Sequence, residues 1–376
     1  MTAPRLEINL TKISHNTRVL VERLGQRGIT TTGITKAFLG LPAMARVLVD
    51  AGVCALGDAR IENIESMRLN LVTAQMILIR SPLLSQAERV VRSADLSFNT
   101  EPEVIAKLSA VAAALDKMHG VVLMVELGDL REGIMPANLA SVVLQTLRLP
   151  NIILEGIGTN LACRSGVTPD SKNMTALSDL ADAIESEFQI RLSTVTGGNS
   201  SNLKWAFSAP QIGRVNNLRL GESILLGQDP LQRKSIRGLH KDAITFVAEV
   251  IESKLKPTMP WGEIGYSTFG QTTIRKDECG LDQAILAAGH QDIDVAGIQP
   301  PAGLNIVAAS SDHLVVRPTS GRLTIGSEFR FQPNYSAILR AMTSPFVVKE
   351  VISYDGAERP EGAICETITR DAGLLS

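Results

Sequence analysis

Short apolar, β-branched runs alternate with longer stretches of helical periodicity through the first part of the chain, at intervals of roughly 20 to 35 residues. The strand-like runs fall at 29–34, 55–57, 76–79, 96–98, 121–126, 154–158, 192–196 and 218–221. Between them, apolar residues at three- and four-residue spacing predict helices over 41–51, 60–69, 86–93, 101–115, 137–147, 171–185 and 201–206. Eight strand signals, nearly all followed by a turn and a helix, predict a (β/α)8 TIM barrel, in which chemistry sits where strands end. The alternative, a doubly wound sheet, would normally have fewer strands and a glycine-rich phosphate fingerprint after the first, which is absent after residue 34.

The texture changes after Gly227. Residues 228–234 read as a polar linker, and short strands separated by Gly, Pro and Asp turns follow at 245–251, 284–288, 304–309, 313–316, 328–331 and 346–351. The expected organisation is therefore an α/β barrel over 11–230 and a mainly β domain over 231–376. Residues 1–10, with alternating Leu6, Ile8 and Leu10, are expected to pack as a strand with that second domain. From Tyr354 onward the chain is polar with little periodicity, which predicts a mobile tail.

Charge and composition narrow the class. The 37 basic and 39 acidic residues nearly balance at a formal charge of -2, so no nucleic-acid or anionic-membrane surface is expected. A 44% hydrophobic content with only 4% aromatics suits an aliphatic α/β interior. No apolar run reaches the ~18 residues of a membrane span, and the chain enters its first strand without an apolar signal core, which predicts a cytoplasmic protein. Cys54, Cys163, Cys279 and Cys365 are scattered, and neither they nor the five histidines show ligand spacing, so neither disulfides nor a metal are expected.

Candidate chemistry lies at the strand ends. Lys36, in GITKAFLG, stands where the first barrel strand stops, and such an ammonium must be paired, solvated or used covalently. A salt-bridged rim lysine is its ordinary role. The Thr196-Gly197-Gly198-Asn199-Ser200-Ser201 stretch follows the seventh strand signal, and its N–H groups and hydroxyls suit a phosphate, although a glycine turn with a serine cap has the same composition. Asn217-Leu218-Arg219-Leu220-Gly221-Glu222 ends the eighth, and loops after strands seven and eight are the usual phosphate site of such barrels. A phosphate seat opposite a strand-end lysine is what pyridoxal phosphate requires, one group for the anion and one amine for the aldehyde.

Glu7-Ile8-Asn9, His15-Asn16, Thr35-Lys36-Ala37 and Gly57-Asp58-Ala59-Arg60-Ile61-Glu62-Asn63 resemble the alanine racemase superfamily of pyridoxal-phosphate enzymes, and within it the ornithine and lysine racemase branch. The likeness continues in order through Glu126-Leu127-Gly128-Asp129-Leu130-Arg131-Glu132-Gly133, Gly158-Thr159-Asn160-Leu161-Ala162-Cys163, Gly197-Gly198-Asn199-Ser200 and Leu218-Arg219-Leu220-Gly221-Glu222. In the second domain it includes Gly289-His290-Gln291-Asp292, Ser310-Ser311-Asp312-His313 and Met342-Thr343-Ser344-Pro345. The resemblance implies a cytoplasmic homodimer with shared active sites that interconverts L- and D-amino acids. It implies that Lys36 carries the cofactor and exchanges a proton with the substrate's α-carbon on one face. Arg219 would face the pyridine nitrogen; being a donor-only cation, it would leave that nitrogen unprotonated. Arg131 would bond the phenolic oxygen and reach the substrate carboxylate. Ser200, with the backbone at Gly221 and Glu222, would hold the phosphate, with Tyr335 as a further donor, and Asn160 and Asn199 would line the cofactor.

The departures from the family pattern bear on the second base and the substrate. Where alanine racemases carry a second-domain tyrosine, the aligned block holds His290, whose imidazole needs less tuning than a phenol to act as a base near neutrality. A structural histidine is the alternative role for His290, and Tyr266 competes for the catalytic one. No tyrosine follows Lys36, since Phe38-Leu39-Gly40 stands there, and Asn160 replaces the barrel histidine beside the ring. Both changes fit the ornithine-type branch. A cationic substrate would want a carboxylate, for which Asp292, Asp312 and Asp129 are candidates, with Ser311 as a polar neighbour; an arginine partner or turn cap is the expected role of Asp129. A decarboxylase or aldolase on the same cofactor, and a cofactor-carrying single-barrel protein, are the competing functions. Arg219 disfavours the first, and the additional β domain disfavours the second.

Overall fold

Leu6 and Ile8 are both fully buried on the opening strand, β1 (Arg5–Asn9), in a computed structural model that describes residues 3–257, 259–263, 265, 280–352 and 366–368. Helix α1 (Leu10–Gly25) follows and buries Ile13, Thr17, Leu20 and Leu24 along one stripe. The barrel elements then alternate: β2 (Thr30–Ile34), α2 (Pro42–Asp50), β3 (Ala55–Asp58), α3 (Ile61–Leu69), β4 (Met76–Leu78), α4 (Ala87–Ser93), β5 (Leu96–Asn99) and α5 (Pro102–Ala114). They continue with β6 (His119–Met124), α6 (Leu139–Leu147), β7 (Ile152–Gly158), α7 (Ser171–Phe188), β8 (Thr194–Asn199), α8 (Leu203–Ser208), β9 (Asn217–Leu220) and α9 (Glu222–Leu226). Strands β2 to β9 close in sequence order, all parallel, and β2 meets β9 with Thr32 opposite Arg219. The expected TIM barrel is therefore present.

Two local expectations change. Strand β8 runs on to Asn199 rather than stopping at 196, because Gly197 and Gly198 carry it through a register shift between Thr196, opposite Asn217, and Asn199, opposite Arg219. Gly198 has φ 143°, and a Cβ there would lie 2.1 Å from Asn202 Oδ1, so only glycine permits the bend. Helix α1, absent from the sequence expectation, owes its place to the buried stripe rather than to composition.

The barrel interior is divided chemically. Ala55, Ile77, Leu96, Phe98, Val122 and Met124 form an apolar cluster from β3 to β6. Facing it, Thr32, Thr196, Asn217 and Arg219 of β2, β8 and β9 are buried polar groups. The two halves meet where the Arg219 guanidinium lies 5.2 Å from the centre of the Phe98 ring, a cation–π contact between strands that are not neighbours.

The chain forms two compact units, Ile13–Lys241 and Met1–Lys12 with Asp242–Ser376. The second holds β10 (Ile244–Lys256), β11 (Leu281–Leu286), β12 (Ile298–Gln299), β13 (Leu304–Ala309), β14 (Leu314–Pro318), β15 (Glu328–Pro333), α10 (Tyr335–Thr343), β16 (Val348–Ile352) and β17 (Glu366–Ile368). It is mainly antiparallel, in the order β13-β14-β11-β10-β1-β16-β17, with β15 joined to β10 and β12. Leu6, Ile8, Phe246, Val250, Val316 and Phe331 are buried in it. Strand β17 corrects the expectation of a mobile tail at those residues: it pairs antiparallel with β16, giving partners to an edge that would otherwise present unpaired backbone groups. Among the described residues no helix is long and apolar enough to cross a membrane, and no cluster of metal-ligating side chains occurs.

Candidate active site

Lys36 opens a short 3-10 helix, Lys36–Phe38, directly after β2. Its position is fixed from behind. The Thr35 hydroxyl donates to Asp58 Oδ2 at 2.5 Å, and the fully buried Asp58 carboxylate also accepts from the Arg60 N–H at 2.9 Å and Asn63 Nδ2 at 3.0 Å. Burial pushes the Asp58 carboxyl upward in pKa, against those hydrogen bonds. Among the described residues no carboxylate lies within ion-pairing distance of Lys36, so none of them gives it the salt-bridged rim role. Glu222 nonetheless senses it: burial raises the Glu222 carboxyl, while the Arg233 and Lys36 charges hold it down.

Ser200 and Asn199 occupy the end of β8. The buried Ser200 hydroxyl oxygen accepts from the Gly221 N–H at 3.4 Å and the Ser223 N–H at 3.2 Å, which ties it to the segment after β9. Gly221 packs so closely on Ile34 that an added Cβ would lie 3.2 Å from the Ile34 Cβ, and this sets the ends of β2 and β9 side by side. Asn199 accepts from the Ser201 N–H at 2.8 Å and donates from Nδ2 to Asn160 Oδ1 at 3.1 Å and to the Leu161 carbonyl at 2.9 Å. Asn160 Nδ2 is buried, a donor with no acceptor among the described residues.

Arg219 is 4% exposed and is held by neutral acceptors: Thr196 Oγ1 at 2.6 Å, the Thr159 carbonyl at 2.8 Å and Asn160 Oδ1 at 3.2 Å. Burial lowers its pKa to about 10, and the neighbouring Arg131 charge acts in the same direction. Lys36, Asn160, Asn199, Ser200, Arg219, Gly221 and Glu222 thus stand at the C-terminal ends of β2, β7, β8 and β9. Arg131 lies in the loop after β6, exposed, with its guanidinium engaged by Glu132. That loop is stapled by Glu126, which accepts from the N–H groups of Gly128 and Leu130 at 2.5 and 3.0 Å. Asp129 takes the turn-cap role expected of it. It is buried and accepts from the Arg164 and Ser165 N–H groups, each at 3.0 Å, binding the loop after β7 to the loop after β6.

Comparison with known proteins identifies the family. Residues 8–229 match the family described as alanine racemase, N-terminal domain. A lysine racemase of Thermotoga maritima is 36% identical over 352 residues, 93% of this chain and 98% of that protein. The chain belongs to the alanine racemase family. An ornithine racemase of Acetoanaerobium sticklandii is 34% identical over 353 residues, 93% of this chain and 99% of that protein. An alanine racemase structure from Clostridium difficile superposes with a TM-score of 0.74 at 18% identity, covering 100% of both chains. A D-threonine aldolase structure from Filomicrobium marinum does so at 0.73 and 14%, covering 98% of this chain and 94% of that one. At those identities the structures testify to the shared fold.

For the second unit of this family member, the expected residues are partly assembled. The His290 N–H donates to the Ser310 carbonyl and the Gln291 N–H to the Ser311 carbonyl, at 2.9 and 2.8 Å, so His290 and Ser311 share one corner. Arg340 of α10 donates to the His290 carbonyl at 2.9 Å, and Tyr335 opens the same helix. Asp292 does not present its carboxylate outward. It is 6% exposed and accepts from the Gly289 N–H at 2.9 Å, closing the turn that carries His290. Tyr266 lies outside the described residues. Sequence reasoning missed Phe98 and the supporting roles of Thr196 and Asn217. Polar Asn217 and Arg219 alternating with Leu218 and Leu220 was the available signal, because period two puts both polar groups on one strand face.

Proposed function

We propose that this chain is a pyridoxal-phosphate-dependent racemase of amino acids with cationic side chains, ornithine or lysine, working in the cytoplasm as a homodimer with shared active sites. The observation that carries the assignment is Arg219, a buried guanidinium held by neutral acceptors at the barrel mouth, together with a strand-end lysine that has no ion pair among the described residues. The residues fit the cofactor. The unpartnered Asn160 Nδ2 is a donor awaiting an acceptor, and the Ser200 hydroxyl, whose oxygen accepts from the Gly221 and Ser223 N–H groups, keeps its own proton to donate to a phosphate.

Bound there, pyridoxal phosphate supplies a conjugated ring that withdraws electron density from the substrate's α-carbon. Lys36 would hold its aldehyde end, Ser200, Gly221 and Glu222 its phosphate, and Arg131 its phenolic oxygen and the substrate carboxylate. Arg219 would offer the ring nitrogen a hydrogen bond without a proton to give up, which would keep electron withdrawal moderate. Lys36 takes or returns the α-proton on one face, and His290 of a second copy serves the other, with Tyr266 the competing group. The identity to an ornithine racemase and a lysine racemase supports the cationic substrate class. An aldolase or decarboxylase would be better served by an acidic partner at the ring nitrogen, whereas on this proposal the partner is Arg219.

The test is chiral analysis of products from L-ornithine, L-lysine, L-arginine, L-alanine and L-serine with the purified, cofactor-loaded protein. D-ornithine or D-lysine should form fastest, Lys36→Ala should abolish both turnover and the bound cofactor's visible band, and His290→Ala should slow racemisation far more than it weakens cofactor binding. A wild type that takes up no pyridoxal phosphate, or that releases amine or aldehyde instead of the D-enantiomer, overturns the assignment.

A further inference from the structure

A continuous chain of hydrogen bonds runs behind Arg219 through the polar half of the barrel. Arg219 Nη1 donates to Thr196 Oγ1 at 2.6 Å, the Thr196 hydroxyl donates to Asn217 Oδ1 at 2.9 Å, and Asn217 Nδ2 donates to Thr30 Oγ1 at 3.1 Å and Thr32 Oγ1 at 3.0 Å. Thr196, Asn217 and Arg219 are all buried. Every direction in the chain is forced. A guanidinium can only donate, so the Thr196 oxygen must accept, and its single proton goes to Asn217. The Thr30 hydroxyl spends its proton on the Asn216 carbonyl at 2.8 Å, so its lone pairs call for a donor, which is Asn217 Nδ2. Both ends therefore orient the Asn217 amide the same way.

The same logic fixes the mouth. Asn199 Oδ1 accepts from a backbone N–H, so its Nδ2 must be the group facing Asn160, whose Oδ1 receives both that donor and Arg219 Nη2. What Asn160 has left is its unpartnered Nδ2. The ordered chain thus presents donors only: the Arg219 guanidinium and the Asn160 amide.

We infer that Thr196 and Asn217 are positioning residues that hold Arg219 as a hydrogen-bond donor to the cofactor's ring nitrogen without a carboxylate behind it. The inference rests on the racemase assignment. A neutral, directionally locked support keeps the guanidinium where it donates and keeps protons from being delivered to the ring through the barrel. Both residues stand behind Arg219 in the hydrogen-bond chain, so their effect passes through it.

The experiment compares the wild-type holoenzyme with Thr196→Val, Thr196→Ser and Asn217→Ala. Valine keeps the shape and removes the acceptor; serine restores it. Thr196→Val should lower kcat about tenfold or more while changing KM and the pyridoxal phosphate affinity of the apoenzyme by less than about threefold. Its bound cofactor should acquire a pH-dependent visible spectrum across the neutral range where the wild type shows none, as the ring nitrogen becomes protonatable. Thr196→Ser should recover kcat to within about threefold and the flat spectrum with it. Asn217→Ala should move both readouts in the same direction by a smaller factor, and because it lies on a different strand it carries the test if Thr196→Val does not fold. A Thr196→Val enzyme with unchanged kcat and a flat spectrum overturns the inference, as does serine failing to restore either or a loss of cofactor affinity that matches the loss of kcat. A wild type that binds no cofactor fails the racemase assignment instead, and is recognised before any variant is made.

Discussion

Among the described residues two arginines are buried almost completely, and the chain treats them in opposite ways. Arg5 in β1 is 2% exposed and bonded to three carboxylates, Glu7 at 2.8 Å, Glu328 at 2.6 Å and Glu350 at 3.1 Å. The hydrogen bond to Glu328, against burial and with help from Glu7, raises its pKa. Arg219 is 4% exposed and bonded to a hydroxyl, a carbonyl and an amide, and burial lowers its pKa to about 10. A guanidinium kept for cohesion is surrounded by opposite charge. One kept for chemistry is left uncompensated, so that its donor capacity is directed at whatever occupies the mouth.

The largest expected effect breaks the comparison from the structural side. Arg5→Met leaves Glu350 and most of the Glu7 cluster buried without their central cation, which should cost about 3–5 kcal/mol and lower the denaturation midpoint of the β unit. Arg330, which also reaches Glu7, limits the loss rather than preventing it. Arg219→Met should do the reverse: stability should stay within about 1 kcal/mol, because a desolvated and unpaired charge is removed. Racemisation should nevertheless fall by about 10² to 10³. If Arg219→Met unfolds the protein as readily as Arg5→Met, the two arginines are not different in kind.

Much of this division could be read in the sequence, and the part that could not has a physical reason. Lys36 and Arg219 were legible because each ends a β-branched or alternating strand run, and barrel strands deliver their last residues to one face. The eight strands were legible because period two and the intervening helical period are local signals. Three features were not. Phe98 reads as an ordinary core aromatic until β5 and β9 face each other across the barrel. Asp292 reads as a free carboxylate until the turn from Gly289 folds it inward. Strand β17 has no pattern of its own and exists through pairing with β16. Contacts between distant segments decide all three.

A third buried basic side chain, this one kept neutral, carries the effect of burial into a measurable pH slope. His119, 1% exposed at the start of β6, has the Ser97 hydroxyl as its neighbour at 2.8 Å, and burial drives its pKa down to about 4, against the Asp95 charge. The unfolded chain, with an ordinary value near ~6.5, binds this proton first as the pH falls. Stability contributed by keeping His119 neutral is therefore present above about pH 6.5 and is lost on the way down to the folded value. Between about pH 7 and 5 that amounts to about 2 kcal/mol, and His119→Gln should flatten the slope of denaturation midpoint against pH over that interval. An unchanged slope in His119→Gln would assign it to other groups.

The smallest effect sharpens the contrast by supplying an arginine that is neither buried nor uncompensated. Arg92 in α4 donates to Glu88 from Nε at 2.9 Å and from Nη2 at 2.7 Å, with both side chains more than half exposed. The pair is well oriented for its helix, with the glutamate in the first turn and the arginine in the last. Water and salt still screen it, so Arg92→Gln should cost only about 0.3–0.5 kcal/mol, and that difference should vanish in molar salt. The Arg5→Met loss should persist in the same salt, because the charges it uncovers are shielded by protein rather than by solvent. If both losses fade together, burial is not what separates the arginines of this chain.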